Sequence, residues 1–210
     1  MRGRLIALEG IDGSGKTTQA RMYASAVRNA MVTVTAEPGA TALGAKLRGL
    51  LLDPDRTPVA ERTEALLLAA DRAQHVAEVV EPALAAGRWV VTDRFSGSTL
   101  AYQGYGRGLS LTDLRRLVDW ATGGIEPDLN VLVDVPVEVS RRRRAGGTDD
   151  RLESLGDDFQ ERVRSGYLSL AAADPGRWVV VDGTGEVDEV AGRLTAAVVA
   201  RLGSPPPVAP

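Results

Sequence analysis

Five short apolar segments punctuate the chain: the run that opens LIALEGIDGSGKTTQARMYA (5–24), then VTVTA (32–36), RWVVTD (88–93), LNVLVD (129–134) and RWVVVD (177–182). Each is a continuous run, not an alternation of apolar and polar positions. Strands of that kind are buried on both faces, as in a parallel sheet covered by helices above and below. Helical patterns fill the intervals. The longest is PVAERTEALLLAADRAQHVAEVVEPALAAG (58–87), closed by a glycine, the residue that commonly ends a helix. LTDLRRLVDWA, DDFQERVRSGYLSLAAA and EVDEVAGRLTAAVVARL follow. Strands alternating with helices predict an α/β fold, a parallel sheet flanked by helices on both faces. The 210 residues predict a single domain over 1–203. The tail at 204–210 is rich in prolines that cannot donate hydrogen bonds, which predicts disorder.

Composition removes several function classes. A formal net charge of −3 argues against a nucleic-acid polymer as partner, because such binders carry a basic excess. The chain has no cysteine. Disulfides, thiolate catalysis and cysteine zinc sites are excluded, and a reducing compartment fits. MRGRLIALEG runs straight into a strand with no secretory apolar region, and no apolar run approaches the roughly 20 residues that span a bilayer. The expectation is a cytoplasmic protein without a membrane segment.

The chemistry is concentrated at the first strand–helix junction. Gly10-Ile11-Asp12-Gly13-Ser14-Gly15-Lys16-Thr17 fits G-x-x-x-x-G-K-[ST], after a strand and before a helix. Glycines let the backbone curl so that successive N–H groups point at an anion, and the helix start adds its positive dipole end. The loop, continued by Thr18, predicts a nucleoside triphosphate site in which Lys16 meets the β- and γ-phosphates and Thr17 supports Mg²⁺. In VVTDRFSGSTLAYQGYGRG (90–108), Asp93 ends a strand where a second group could meet the metal. Arg94 projects into the crevice where open α/β sheets bind ligands. Taken alone, this pair also reads as a salt-bridged strand end.

EGIDGSGKTTQ, EPGAT followed by LRGLLLD, ALLLAADRAQHV, DRFSGSTLAYQGYGRGL, PDLNVLVDVPVEV and DRLE with RVRSGYL occur in this order over about residues 4–182. Together they closely resemble the bacterial thymidylate kinases. The resemblance implies a P-loop kinase fold with a five-stranded parallel sheet, a mobile arginine-bearing lid at about 141–153, a homodimer, and transfer of phosphate from ATP to dTMP with Mg²⁺. It assigns Arg72 and Arg94 to the acceptor phosphate, and Asp12 to the acceptor sugar or the metal side. Ser98, Thr99, Tyr102 and Gln103 then face thymine and ribose, Glu37 and Pro38 close that pocket, and Leu68 covers the base. By themselves, Arg72 reads equally as a surface charge near Asp71, and Tyr102 and Gln103 as packing and loop residues.

Some relatives carry a catalytic arginine inside the phosphate loop. This chain has Gly13 there, so the resemblance places that charge on the lid, with Arg142, Arg144 and Arg151 as candidates. Four consecutive arginines at a helix end also read as a solvated face. Three departures from the family pattern bear on the base site: no basic residue precedes Glu37, Ala40 replaces a glycine, and Leu68 replaces an aromatic ring. A related nucleoside monophosphate or deoxynucleoside kinase with altered base preference is the nearest alternative. A GTPase-type switch is more distant: Asp182-x-x-Gly185 occurs, but no Asn-Lys-x-Asp. His75, the single histidine, reads as a packing or interface residue on the long helix. Leu66, Leu67 and Ala70 on that helix read as core or subunit contacts.

Overall fold

The computed structural model describes residues 2–27, 30–52, 58–146 and 151–207. All five apolar runs form strands: β1 (Leu5–Glu9), β2 (Val32–Ala36), β3 (Trp89–Asp93), β4 (Leu129–Asp134) and β5 (Trp178–Asp182). They pair in parallel in the order β2-β3-β1-β4-β5. β1 and β3 are buried at every position, whereas β2 and β5 are only partly covered. Place in the sheet makes this difference, since the outer strands have a neighbour on one side only.

The helices α1 (Lys16–Ala26) and α9 (Val187–Leu202) cover one face, where Tyr23, Leu194 and Val198 pack with Ile6, Leu8 and Val131. On the other face α8 (Asp157–Ala173) sets Phe159, Val163 and Tyr167 against Leu132, Val135 and Trp178. The long pattern at 58–87 is helical from 61 to 85: α3 (Glu61–His75), a π-helical stretch Val76–Val80, then α4 (Glu81–Ala85). Val76, Val80 and Leu84 close a third apolar cluster on Leu5, Val90 and Phe95. The core face of α3 is Ala65 and Ala69. Leu66 is 58% exposed, and neither it nor Ala70 is in the core.

The remaining helices are α2 (Ala42–Leu52), α5 (Ser96–Thr99), α6 (Leu111–Thr122) and α7 (Val137–Arg144). The apolar pattern names no element at 96–106, yet α5 continues there as a π-helical segment, Leu100–Gly106. A Cβ at Gly166 of α8 would lie 2.6 Å from the Tyr105 side chain, so the glycine admits close packing of the two helices. Of the tail expected to be disordered, residues 204–207 lie against the sheet edge. Met31 N donates to Pro206 O at 3.0 Å, and Ala30 bridges Pro207. Residues 208–210 lie outside the described residues. Among the described residues no helix is long and apolar enough to cross a membrane.

With all strands parallel, Glu9, Glu37, Asp93 and Asp134 come to one edge of the sheet, where β1, at its centre, hands the chain to the phosphate loop.

Candidate active site

The loop after β1 closes on itself. Lys16 Nζ donates to Ile11 O at 2.8 Å and Ser14 Oγ at 3.3 Å, while Gly10 O accepts from Arg94 Nη1 at 3.1 Å. The Ile11 side chain is core, so Gly10 and Ile11 shape the turn from behind. Asp12 through Thr18 line a large open chamber. Burial, with Arg94 adding repulsion, pulls the Lys16 ammonium down to about 8. Gly13 has φ 73°, and a Cβ there would lie 2.7 Å from Ser140 O on α7. The close approach of α7 therefore excludes an arginine side chain at position 13.

Thr17 Oγ1 donates to Asp93 Oδ2. Asp93 Oδ1 is buried with no hydrogen-bond partner. A hydroxyl beside a carboxylate with an unused oxygen, next to the phosphate loop, is a hard-oxygen donor set that fits Mg²⁺. Among the described residues no group of three or more His, Cys, Asp or Glu side chains could hold a metal, so phosphate oxygens and water must complete any coordination.

Arg94 sits at the centre. Its guanidinium donates to Asp12 Oδ1 at 2.5 Å, and to Ser98 Oγ, Tyr102 OH and Tyr167 OH at 3.1 Å each. Asp12 Oδ2 accepts from Tyr102 OH at 2.7 Å. Burial acts to raise the Asp12 carboxyl, but Arg94 and Lys16 outweigh it and hold the group below its ordinary value. Behind this layer lies Glu9, fully buried, accepting from Phe95 N at 3.0 Å, Ser98 N at 3.2 Å, Ser98 Oγ at 2.6 Å and Tyr167 OH at 3.0 Å. It ties β1 to the start of α5 and so to Arg94. Burial raises its carboxyl above the usual range.

Asp12, Glu37, Pro38, Leu68, Arg72 and Arg94, with Ser98, Thr99, Tyr102 and Gln103, line one smaller chamber. The loop chamber is larger. The two share Asp12, Glu37, Arg48 and Arg94. Arg72 belongs to the smaller chamber alone. It is buried, donating to Glu37 Oε2 at 2.8 Å, Thr99 Oγ1 at 2.7 Å and Phe95 O at 2.9 Å, which sets aside its reading as a surface charge. His75 is also fully buried and works in the same relay. Its Nδ1 meets Glu37 Oε1 at 2.8 Å and its Nε2 meets Thr35 Oγ1 at 2.7 Å. Leu68 is joined in the lining by Leu51, Leu52 and Leu152, so apolar cover comes from several leucines in place of one ring.

The arginines expected to serve a lid lie in different places. Arg142 is 67% exposed and pairs with Glu138 at 3.6 Å. Arg144 lies under the loop, its Cγ 3.0 Å from where a Cβ of Gly13 would be. Arg151 is on the side of the smaller chamber, donating to Glu64 Oε2 and to the carbonyl of the lining residue Leu51 at 2.7 Å each. Residues 147–150 of the expected lid lie outside the described residues.

Several residues that the sequence reading did not single out line or support the chambers. Arg48 lines both and donates to Pro38 O at 2.9 Å; its signal was its place in LRGLLLD. Arg143 reaches the loop chamber, donating to Ser14 O at 3.2 Å and Gly183 O at 2.9 Å. Glu9 stands directly before Gly10, and nothing local marks Tyr167. Asp182 of the Asp-x-x-Gly pattern is taken by its own turn, accepting from Thr184 N at 2.8 Å and Thr184 Oγ1 at 2.6 Å, while Gly183 and Gly185 line the loop chamber.

Comparison with known proteins gives a consistent result. The family model described as Thymidylate kinase matches residues 8–193. The chain is 50% identical over 205 residues to a thymidylate kinase of Desulforudis audaxviator, covering 96% of this chain and 93% of that protein. It is 50% identical over 193 residues to the thymidylate kinase of Carboxydothermus hydrogenoformans, covering 90% and 94%. The crystal structure of thymidylate kinase from Ehrlichia chaffeensis superposes with a TM-score of 0.77 at 30% identity, covering 94% of this chain and all of that one.

Proposed function

Because this chain belongs to the thymidylate kinase family and phosphorylates dTMP, we propose that ATP fills the loop chamber, dTMP fills the smaller one, and phosphate passes between them. The observation that carries this reading is that the two chambers meet at Asp12, Glu37, Arg48 and Arg94. Arginine offers a planar fork of donors matched to phosphate oxygens. Arg94 and Arg48, at the junction, suit the acceptor phosphate. Arg72, set back in the smaller chamber, suits the base edge, with Leu68 and Tyr102 enclosing the ring.

Thr17 and Asp93 would hold Mg²⁺, which supplies charge neutralisation on the transferred phosphoryl group. Lys16 offsets the charge that grows on the donor phosphates as the bond breaks. The acceptor oxygen is anionic near neutral pH, so the site needs no general base, and His75 orients Glu37 instead. Arg142, Arg144 and Arg151 remain the candidates for charge delivered by the lid. The exposed Leu66 on α3 and Trp120 on α6, 84% exposed, support a homodimer that would cover such apolar surface. A cytoplasmic enzyme of deoxynucleotide synthesis fits these properties.

The specific rival is a related nucleotide kinase, favoured by the leucine at position 68. Competition of dTMP with dUMP and dCMP at equal concentration, with ATP as donor, tests the reading. One buried methyl is worth about 10–200-fold, so dTMP should be preferred over dUMP within that range. Indifference, or preference for dCMP, would overturn the assignment of the smaller chamber as a thymine site.

A further inference from the structure

Glu64 of α3 has a fully buried carboxylate that none of the chemistry above employs. Three donors converge on it: Gln103 Nε2 at 2.9 Å, Arg107 Nη2 at 2.9 Å and Arg151 Nη2 at 2.7 Å. Burial acts to raise its pKa, but the bonds from Arg107, Gln103 and Arg151 prevail and hold it below the ordinary carboxylate value. Near neutral pH the group is therefore ionised, and an ionised carboxylate can only accept.

That single fact fixes the direction of the neighbouring amide. A glutamine offers a donor at one end and an acceptor at the other, and the network decides which way it lies. With Nε2 committed to Glu64, the end left over is Oε1. Gln103 is buried and lines the acceptor chamber, and its Oε1 has no hydrogen-bond partner.

We propose that Glu64 is a positioning residue that sets base choice, holding Gln103 so that Oε1 is a fixed acceptor for the ring N3–H of the acceptor nucleotide. Thymine and uracil carry a proton on N3. Cytosine presents a lone pair there, and two acceptors would face one another with neither hydrogen bond made. A buried acceptor left unpaired in this way is what lets a polar site reject an analogue. Arg107 and Arg151 serve the same end by keeping the carboxylate charged. The inference rests on the smaller chamber being the dTMP site and on Gln103 touching the base.

The test measures the ratio of kcat/KM for dTMP to that for dCMP in wild type, Gln103→Leu, Glu64→Gln and Glu64→Asp. Gln103→Leu should lower the ratio; if it does not, Gln103 does not read the base, and this inference falls together with that reading. In Glu64→Gln the new amide can accept or donate, so Gln103 is free to turn. The ratio should fall by about ten-fold or more, the order of one hydrogen bond, while the KM for ATP stays within about two-fold. Glu64→Asp, still an acceptor-only carboxylate, should keep the ratio within about three-fold of wild type. If Gln103→Leu lowers the ratio and Glu64→Gln leaves it intact, the role of Glu64 is overturned and the chamber assignment stands. Glu64→Gln with Arg107→Gln restores the net charge of the cluster, with Arg151 still in place, so the ratio can be read even if the single variant does not fold.

Discussion

The phosphate loop presents one short local stretch, Asp12 through Thr18, to its chamber, whereas the smaller chamber beside it is built from side chains that the fold gathers from across the chain. In the loop, identity matters chiefly where a Cβ would collide, as at Gly13 against Ser140, and at Lys16. In and behind the smaller chamber nearly every polar group is held by another: Thr35, His75, Glu37 and Arg72 in one relay, Glu9, Ser98, Tyr167 and Arg94 in a second. A change in the first region should strike the transferring phosphate. A change in the second should strike affinity and choice of acceptor.

The largest separation should come from Lys16→Ala, which is expected to abolish measurable turnover with the circular dichroism spectrum unchanged. Turnover within a few-fold of wild type would break the comparison at its stronger side. Next is the lid. An arginine supplied to phosphoryl transfer is worth about 10³–10⁵ in rate, so one of Arg142→Ala, Arg144→Ala or Arg151→Ala should lower kcat at least about a hundred-fold while dTMP still binds. If all three, and their combination, keep kcat within a few-fold, the run is only a charged helix face.

Arg94→Ala should raise the KM for dTMP about ten-fold or more, the order of one charge-assisted contact, and move the KM for ATP much less. Equal effects on both substrates would mean that Arg94 serves the fold alone. The smallest effect is one of pH. Lys16 is depressed to about 8, so between that pH and its unfolded value of about 10.4 the folded loop binds fewer protons than the unfolded chain. Its contribution to stability therefore rises with pH across that window, while the cation that ATP requires is lost. The Kd for ATP, measured by calorimetry, should rise about four-fold from pH 7 to 8.5 as Lys16 titrates, with the Kd for dTMP nearly flat. Parallel curves for the two ligands would erase the distinction.

The same contrast explains what could be read from sequence. The loop, the five strands and the long helices were legible because each is local: a spacing, a run, a period. The smaller chamber was legible by resemblance only, since the pairing of Glu37 with Arg72, 35 residues apart, or of Glu9 with Tyr167, 158 apart, leaves no local mark. Residues 96–106 were missed for a related reason. Their glycines and small polar residues suggest a turn, and only packing against α8 makes them helical. Glu64 stands on α3 like any surface carboxylate, and nothing in ERTEALLL announces three partners.

Arg94 has φ 73°, a left-handed backbone that costs a side-chain-bearing residue roughly 1–2 kcal/mol and glycine almost nothing. Thr92 Oγ1 donates to Arg94 O at 2.8 Å, and Arg94 N donates to Leu8 O at 2.9 Å, so the neighbours hold the turn in place. Marginal stability leaves a small protein only about 5–15 kcal/mol in all, and this position forfeits a measurable part of it. Glycine at 94 would relieve that strain but would leave Asp12, Ser98, Tyr102 and Tyr167 without their guanidinium, and breaking a buried ion pair from one side costs about 3–5 kcal/mol, so the strained arginine is held in place by its own partners.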